Sequence, residues 1–341
     1  MNTSTLTSSH PTPPIWRRAI ALLAAKREYG VGLILALTIA AVAMVNPAFL
    51  ATDNIRDMLI KCVPAAIVGC GLTFVIVTGE IDISVGSLMG LLAAVVGLLA
   101  TPQHVGLPTG LAVLLTLLLG AFIGFINGLL VTVGRVPSII VTLGMLTALR
   151  GVTEMLMNGK WITQLPADLR FLGTGRLIGL PVSLWTAGVV IVASILLAKC
   201  TPLGRRIYAV GSNPNAARLA GLSLTRIKLY VFTLTGLLTG VATVVSVTQV
   251  SVIESGVGTG LELLVVTCVV VGGTSISGGK GAILGTVLAV ALLGIIRTVL
   301  IFLKLGESSV YWERAIQGGF ILAAVLVDHL ARKHSRMEGE S

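Results

Sequence analysis

The sequence predicts an all-α integral membrane protein of about ten transmembrane helices, and three observations carry that prediction. Of 341 residues, 55% are hydrophobic and only 11% charged, with a mean hydropathy of +0.99, against roughly 25% charged residues in an ordinary soluble domain. Apolar windows long enough to cross a bilayer core of about 30 Å, which takes about 20 helical residues, recur along the whole chain. The basic residues stand at the ends of those windows and are not gathered on a face with interleaved aromatics, so the net charge of +10 speaks for membrane orientation and against a nucleic-acid partner.

Taken in order, residues 1–28 open polar and rich in Pro, Ser and Thr and then turn basic at Arg17, Arg18, Lys26 and Arg27. They read as a cytoplasmic N-terminal tail whose short apolar run, Ala19 to Ala25, lies on the membrane surface. The windows follow at 29–50, 58–78, 84–101, 108–133, 137–157, 180–199, 227–247, 262–273, 282–302 and 312–330, within a transmembrane domain of 29–330. Residues 331–341 form a cytoplasmic C-terminal tail. With the N-terminus inside, Arg135, Lys199, Arg205, Arg206, Arg218, Arg226, Lys228 and Lys280 all fall on the cytoplasmic side, as the positive-inside rule asks. The loop 158–179, with Lys160, Arg170 and Arg176, opposes that sum; with Trp161 and Pro166 it is either a docking surface or a capped connection.

Within the windows, Gly120, Gly124 and Gly128 recur at four-residue spacing, which allows close helix contact in lipid. Gly272-Gly273 cuts the eighth window short, and a glycine-interrupted segment points to a functional discontinuity in a membrane carrier. Polar residues inside the windows are Asn127, Thr142, Arg150, Glu154, Thr233, Thr267 and Arg297. Arg150 and Glu154 stand four apart on one helix face, where they either neutralise each other or contact substrate. Cys62, Cys70, Cys200 and Cys268 are scattered singly, without the spacing of a metal site or a disulfide framework, and read as small core residues.

The segment Gly79-Glu80-Ile81-Asp82-Ile83-Ser84-Val85-Gly86-Ser87 places two carboxylates in an otherwise apolar chain. Such a group at membrane depth costs at least roughly 2.5–3.5 kcal/mol unless paired or hydrated, so it marks a working site. On the ten-span topology it joins the second and third spans toward the cytoplasm, which lowers that cost. A second feature is the stretch Lys199–Lys228, basic and without an acid. There Asn213 suits a helix N-cap, Pro214 the first turn and Gly221 the residue after the last. They frame a helix of about seven residues, too short to stand alone in water; it is either an ordinary capped turn or a rigid knob for a partner's groove.

Several chemistries are excluded. Thr274 to Gly281 approaches the phosphate-binding loop, but Thr274 replaces its first glycine, Gly281 removes its Mg²⁺ hydroxyl, and the strand–loop–helix context is missing. The chain therefore has no nucleotide-hydrolysing module of its own. Its four histidines, His10, His104, His329 and His334, belong to no nucleophile or zinc motif, so no catalytic residue is assigned and no metal site expected. The glycine and hydroxyl residues of 82–90 and 275–285 echo each other, either as a trace of duplication or as low-complexity coincidence.

Five blocks then stand in order over about 55–330: Glu80-Ile81-Asp82-Ile83-Ser84-Val85-Gly86-Ser87; Asn127-Gly128-Leu129-Leu130-Val131; Val136-Pro137-Ser138-Ile139-Ile140-Val141-Thr142-Leu143-Gly144; Tyr208-Ala209-Val210-Gly211-Ser212-Asn213 with Ala216-Ala217 and Ala220-Gly221; and Gly272-Gly273-Thr274-Ser275 with Gly278-Gly279. Together they closely resemble the membrane permease subunits of bacterial ABC importers of the ribose type. The resemblance implies the ABC importer permease fold in the bacterial inner membrane, both termini cytoplasmic, and a second permease subunit in a homo- or heterodimer. It also implies a cytoplasmic ABC ATPase that uses ATP and Mg²⁺, a periplasmic solute-binding protein, and no cofactor bound by this chain.

By the same resemblance the short helix within the coupling loop 199–228 is a coupling helix, carried by Gly211, Ser212, Asn213, Ala216, Ala217, Arg218 and Gly221. Asp82, Ser84, Asn127, Thr142 and Thr274 are expected along the translocation pathway. The expected solute is a monosaccharide or similar polyhydroxylated molecule, of rhamnose, autoinducer-2, ribose or xylose type. Gly159-Lys160-Trp161-Ile162 with Leu165-Pro166-Ala167 is similar to the outer loop of autoinducer-2 permeases. Family members usually carry glycine before the Ile-Asp of the first block, so Glu80 is a departure. The alternatives are a branched-chain amino acid ABC permease and a gradient-driven secondary transporter.

Overall fold

The computed structural model describes residues 27–303, Trp312, residues 315–320, Leu322 and Leu326. Most of both predicted tails and most of the tenth window lie outside the described residues. Among those described, seven helices are long and apolar enough to cross a membrane, and two apolar helices are shorter. The long ones are α1 (Arg27–Val45), α2 (Thr52–Val77), α4 (Thr109–Thr132), α5 (Ser138–Met157), α7 (Val182–Cys200), α10 (Leu224–Val247) and the pair α12 (Ile283–Gly294) and α13 (Ile296–Phe302), which break only at Ile295. The short ones are α3 (Val85–Ala100) and α11 (Leu261–Val271). Nine of the ten predicted windows therefore coincide with described helices.

Helix α2 starts six residues before its window, because hydropathy does not see a charged first turn that helix physics favours. Asp53 complements the N-terminal dipole and takes Arg56 at 3.1 Å one turn on. The sequence also hid α8 (Pro202–Ser212), capped by Thr201, whose hydroxyl accepts the Gly204 N–H at 3.0 Å. It is amphipathic and stands directly before the predicted short helix, which is α9 (Pro214–Leu219). The loop 158–179 holds α6 (Ala167–Thr174) and β2 (Arg176–Leu177), which forms a small hairpin with β3 (Leu180–Pro181) just beyond it. Its β1 (Ile162–Thr163) pairs antiparallel with β4 (Val252–Ile253), Ile162 opposite Ile253.

The core is built around α2 and α10, whose side chains Phe74, Ile76 and Phe232 are fully buried. Glycine makes the packing possible. A Cβ on Gly124 would lie 2.4 Å from the Phe232 carbonyl, and one on Gly120 2.6 Å from that of Gly236, so α4 and α10 touch backbone to backbone as the four-residue spacing foretold. Buried threonines stay satisfied inside their own helices: Thr235, Thr239 and Thr243 each donate to the carbonyl four residues back at 2.7–2.8 Å. Thr73 and Thr286 meet at 2.8 Å and tie α2 to α12.

One stretch of chain enters the bundle without being a helix. After α10 and β4, residues 254–260 run back along α3, where glycines clear the way. A Cβ on Gly97 would meet Ile253, one on Gly90 the Val257 carbonyl at 2.8 Å, and one on Gly86 the Gly258 carbonyl at 2.6 Å. Arg150 of α5 holds this segment, its Nη1 donating to the carbonyls of Ser255 at 2.7 Å and Val257 at 3.2 Å. The expected Arg150–Glu154 pair is thus replaced by contacts to main chain, because the half-buried carbonyls of an irregular segment need donors. Helix α11 starts only where this segment ends and stops at Gly272, so its window is short from both sides.

Candidate functional site

Three segments converge at one end of the bundle: the loop after α2, the α8–α9 junction, and the loop 274–281. The predicted cap is present, with Asn213 Oδ1 accepting the Ala216 N–H at 3.0 Å and Pro214 in the first turn. Gly221 closes the unit at φ +80°. Ala217 is buried and anchors the helix, while Asn213, Ala216 and Arg218 are exposed and Leu219 is 90% exposed. A six-residue helix with an uncovered leucine is a projecting knob, and its base is well fixed.

The base is a main-chain joint. Gly279 N–H donates to the Val77 carbonyl at 2.8 Å, and Gly211 packs so closely on that carbonyl that a Cβ would lie 1.7 Å from it. Ser212 Oγ donates to the Gly279 carbonyl at 3.3 Å and Tyr208 to the Gly281 carbonyl at 2.8 Å. Gly278 and Gly279 sit at φ +86° and +77°, which only glycine adopts without strain. Burial, and then the Glu28 carboxylate, hold the Tyr208 hydroxyl above its ordinary pKa. The loop 274–281 is thus a structural turn beside α8, not a cradle for phosphate.

Behind the joint lies the acidic segment. Glu80 is ion-paired with Lys228 of α10. Ile81 is held on both sides, its N–H donating to Ser138 Oγ at 3.1 Å and its carbonyl accepting from Thr142 Oγ1 at 3.4 Å. Asp82 is only 2% exposed. Its Oδ1 accepts the Ser84 N–H at 2.9 Å and the Ser84 hydroxyl at 2.6 Å, and Asn127 Nδ2 donates to Ser84 Oγ at 2.9 Å. Burial pushes the Asp82 carboxyl above the ordinary carboxylate range, against the pull of the Ser84 and Asn127 hydrogen bonds.

Four of the five predicted pathway residues, Asp82, Ser84, Asn127 and Thr142, therefore gather around one loop and link it to α4 and α5. Thr274 lies on the neighbouring loop, fully buried, and among the described residues neither its Oγ1 nor the buried Asn127 Oδ1 has a hydrogen-bond partner. The sequence did not single out two residues: Lys228 as the partner of Glu80, and Glu262, which opens α11. An acid at the head of the shortest apolar window was the available signal for the second.

Comparison with known proteins covers the stretch that holds the five blocks. The family model described as branched-chain amino acid transport system / permease component matches residues 54–325. The chain belongs to this permease family. Among its relatives, Ribose import permease protein RbsC of Escherichia coli (strain K12) is 40% identical over 295 residues, covering 85% of this chain and 90% of the relative. The protein of the same name from Haemophilus influenzae is 36% identical over 299 residues, 86% of this chain and 91% of the relative. Autoinducer 2 import system permease protein LsrC of Yersinia enterocolitica is 39% identical over 257 residues, 75% of this chain and 69% of the relative. No solved structure matches the chain. The multi-pass membrane character read from composition is that of the family, and the projecting α9 and its joint lie within the matched region.

Proposed function

We propose that this chain is one membrane subunit of an ATP-driven ABC importer that carries a monosaccharide or similar polyhydroxylated solute into the bacterial cytoplasm by alternating access. What carries the reading is the relatives: two ribose import permeases, each matched over about nine-tenths of its length. The family's description points to branched-chain amino acids, but the autoinducer 2 relative also sides with polyhydroxylated solutes. In this reading the transmembrane domain is 29–330 with about ten spans, and the tails 1–28 and 331–341 are cytoplasmic. The partners are a second permease subunit, a cytoplasmic ATPase that holds ATP and Mg²⁺, and a periplasmic solute-binding protein; this chain binds no cofactor.

The knob α9 then has a task. Gly211, Ser212, Asn213, Ala216, Ala217, Arg218 and Gly221 form the coupling element that meets the ATPase, and its exposed Leu219 and fixed base support that role. Asp82, Ser84, Asn127, Thr142 and Thr274 set the inner end of the pathway: the first four tie the loop after α2 to α4 and α5, and Thr274 is buried on the neighbouring loop. The deciding experiment is reconstitution of the permease with its ATPase and binding protein in proteoliposomes. Uptake of labelled ribose that requires internal ATP is expected; uptake by the permease alone, driven by an ion gradient, would overturn the reading.

A further inference from the structure

Where residues 254–260 end beside α3, with Thr259 and Gly260 exposed, an open cavity of about 800 Å³ lies against the bundle, within the roughly 300–1,000 Å³ of small-molecule sites. Gly258 and Gly260 turn the chain there at φ +78° and +84°, and Glu262, Thr267, Arg297 and Gln317 contribute polar groups to its wall. Its depth is fixed by two neighbours. Pro64, near the middle of α2, lines the same cavity, and Val265, one turn beyond Glu262, meets Gly69 of α2. A carboxylate and a guanidinium thus share a cavity at membrane depth, where ionisable groups are costly unless they serve a passage. A half-helix that begins at mid-depth after unwound chain is the recurrent setting of carrier sites.

We propose that this cavity is a solute subsite of the passage, in which Glu262 accepts and Arg297 donates hydrogen bonds to the hydroxyls of a neutral polyhydroxylated solute. It rests on the import reading above. The Glu262 carboxylate has capacity for such a donor at Oε1, which among the described residues accepts the Gly260 N–H alone, at 3.2 Å, while Oε2 is tucked against Gly86. Thr259 and Thr267 add hydroxyls, and Met89 and Leu264 supply apolar surface for the carbon face of a sugar ring. A metal is not the occupant this wall suits, since Glu262 is its one carboxylate among the described lining residues.

The test uses the complete transporter in proteoliposomes with labelled ribose and labelled leucine. Glu262→Gln and Arg297→Met are expected to slow ribose uptake roughly tenfold or more, the loss of one charge-assisted hydrogen bond, while basal ATP hydrolysis and ribose binding by the binding protein stay unchanged. Independently, with Cys200 replaced by serine, Thr259→Cys should react with a small water-soluble methanethiosulfonate, and ribose with ATP should slow that reaction. Thr243→Cys, buried in α10, should stay unreactive. Ribose uptake at the wild-type rate in both charge variants, or an inert Thr259→Cys in every nucleotide state, overturns the subsite while leaving the import reading intact. If the wild-type transporter takes up leucine and not ribose, the solute class falls in both. Should Glu262→Gln fail to assemble, protection of Thr259→Cys by ribose with ATP decides, and a modification rate that ribose leaves unchanged overturns the subsite.

Discussion

Glu80 and Lys228 join the loop after α2 to the first turns of α10 by an ion pair whose side chains are only 15% and 20% exposed. The pair explains why an acid is tolerated beside the Ile-Asp block, since α10 brings a cation to it. Glu80→Gln or Lys228→Met leaves one charge half-buried, at a cost of about 1–3 kcal/mol. Thermal unfolding in detergent should show each single variant destabilised and the exchange Glu80→Lys with Lys228→Glu recovering part of the loss. Additive losses in that cycle would remove the pair from the account.

Gly86 makes room for Glu262. An alanine Cβ there would lie 1.8 Å from Glu262 Oε2 and 2.6 Å from the Gly258 carbonyl. Gly86→Ala should therefore destabilise the protein by roughly 1–3 kcal/mol through overpacking. Combined with Glu262→Ala the penalty should shrink but not vanish, because the carbonyl remains. The measurement is unfolding of both single variants and the double variant, and strict additivity counts against the contact.

Asn213 and Gly221 frame α9. Asn213→Ala removes the cap, worth about 1 kcal/mol, and Gly221→Ala puts a Cβ at φ +80°, worth about 1 kcal/mol more. Both costs fall on an exposed six-residue helix, so the thermal midpoint of the whole protein should move little. Ribose uptake should fall while ATP hydrolysis by the partner continues. Unchanged uptake in the double variant would contradict the coupling role.

The Asp82 carboxyl sits above its ordinary value of 3.8 because it is buried. The folded form therefore keeps a proton that the unfolded chain releases first as pH rises. The stabilisation is complete below that ordinary value and is lost as pH climbs through the raised folded value, by about 1.4 kcal/mol for each tenfold difference in proton affinity between the two forms. Asp82→Asn should remove this slope. Unfolding midpoints measured from mildly acidic to neutral pH should fall more steeply in the wild type than in the variant, and parallel curves would exclude the linkage.

Nine helices and the glycine face of α4 were legible because composition and periodicity act locally. The α9 frame was legible for the same reason: Asn213, Pro214 and Gly221 carry their own start and stop chemistry. Arg150 was misassigned because its donors went to carbonyls more than a hundred residues away, and a four-residue spacing cannot reveal a competing acceptor. Helix α8 was missed because an amphipathic segment lying between membrane spans has too little apolar length for a hydropathy window. Lys228 and Glu262 acquire meaning only through tertiary neighbours, Glu80 and Gly86, that lie far off in sequence.

At the centre of the joint beneath α9, inside the Ser212 and Tyr208 hydroxyls, the contact is main chain alone: the Val77 carbonyl, the Gly279 amide and the backbone of Gly211. Main-chain groups are the same whatever cargo a carrier handles, so this contact has no side chain through which a solute preference could be written. Substitutions in the membrane interior can therefore accumulate without disturbing it, and this end of the molecule is free to stay constant while the rest of the bundle changes.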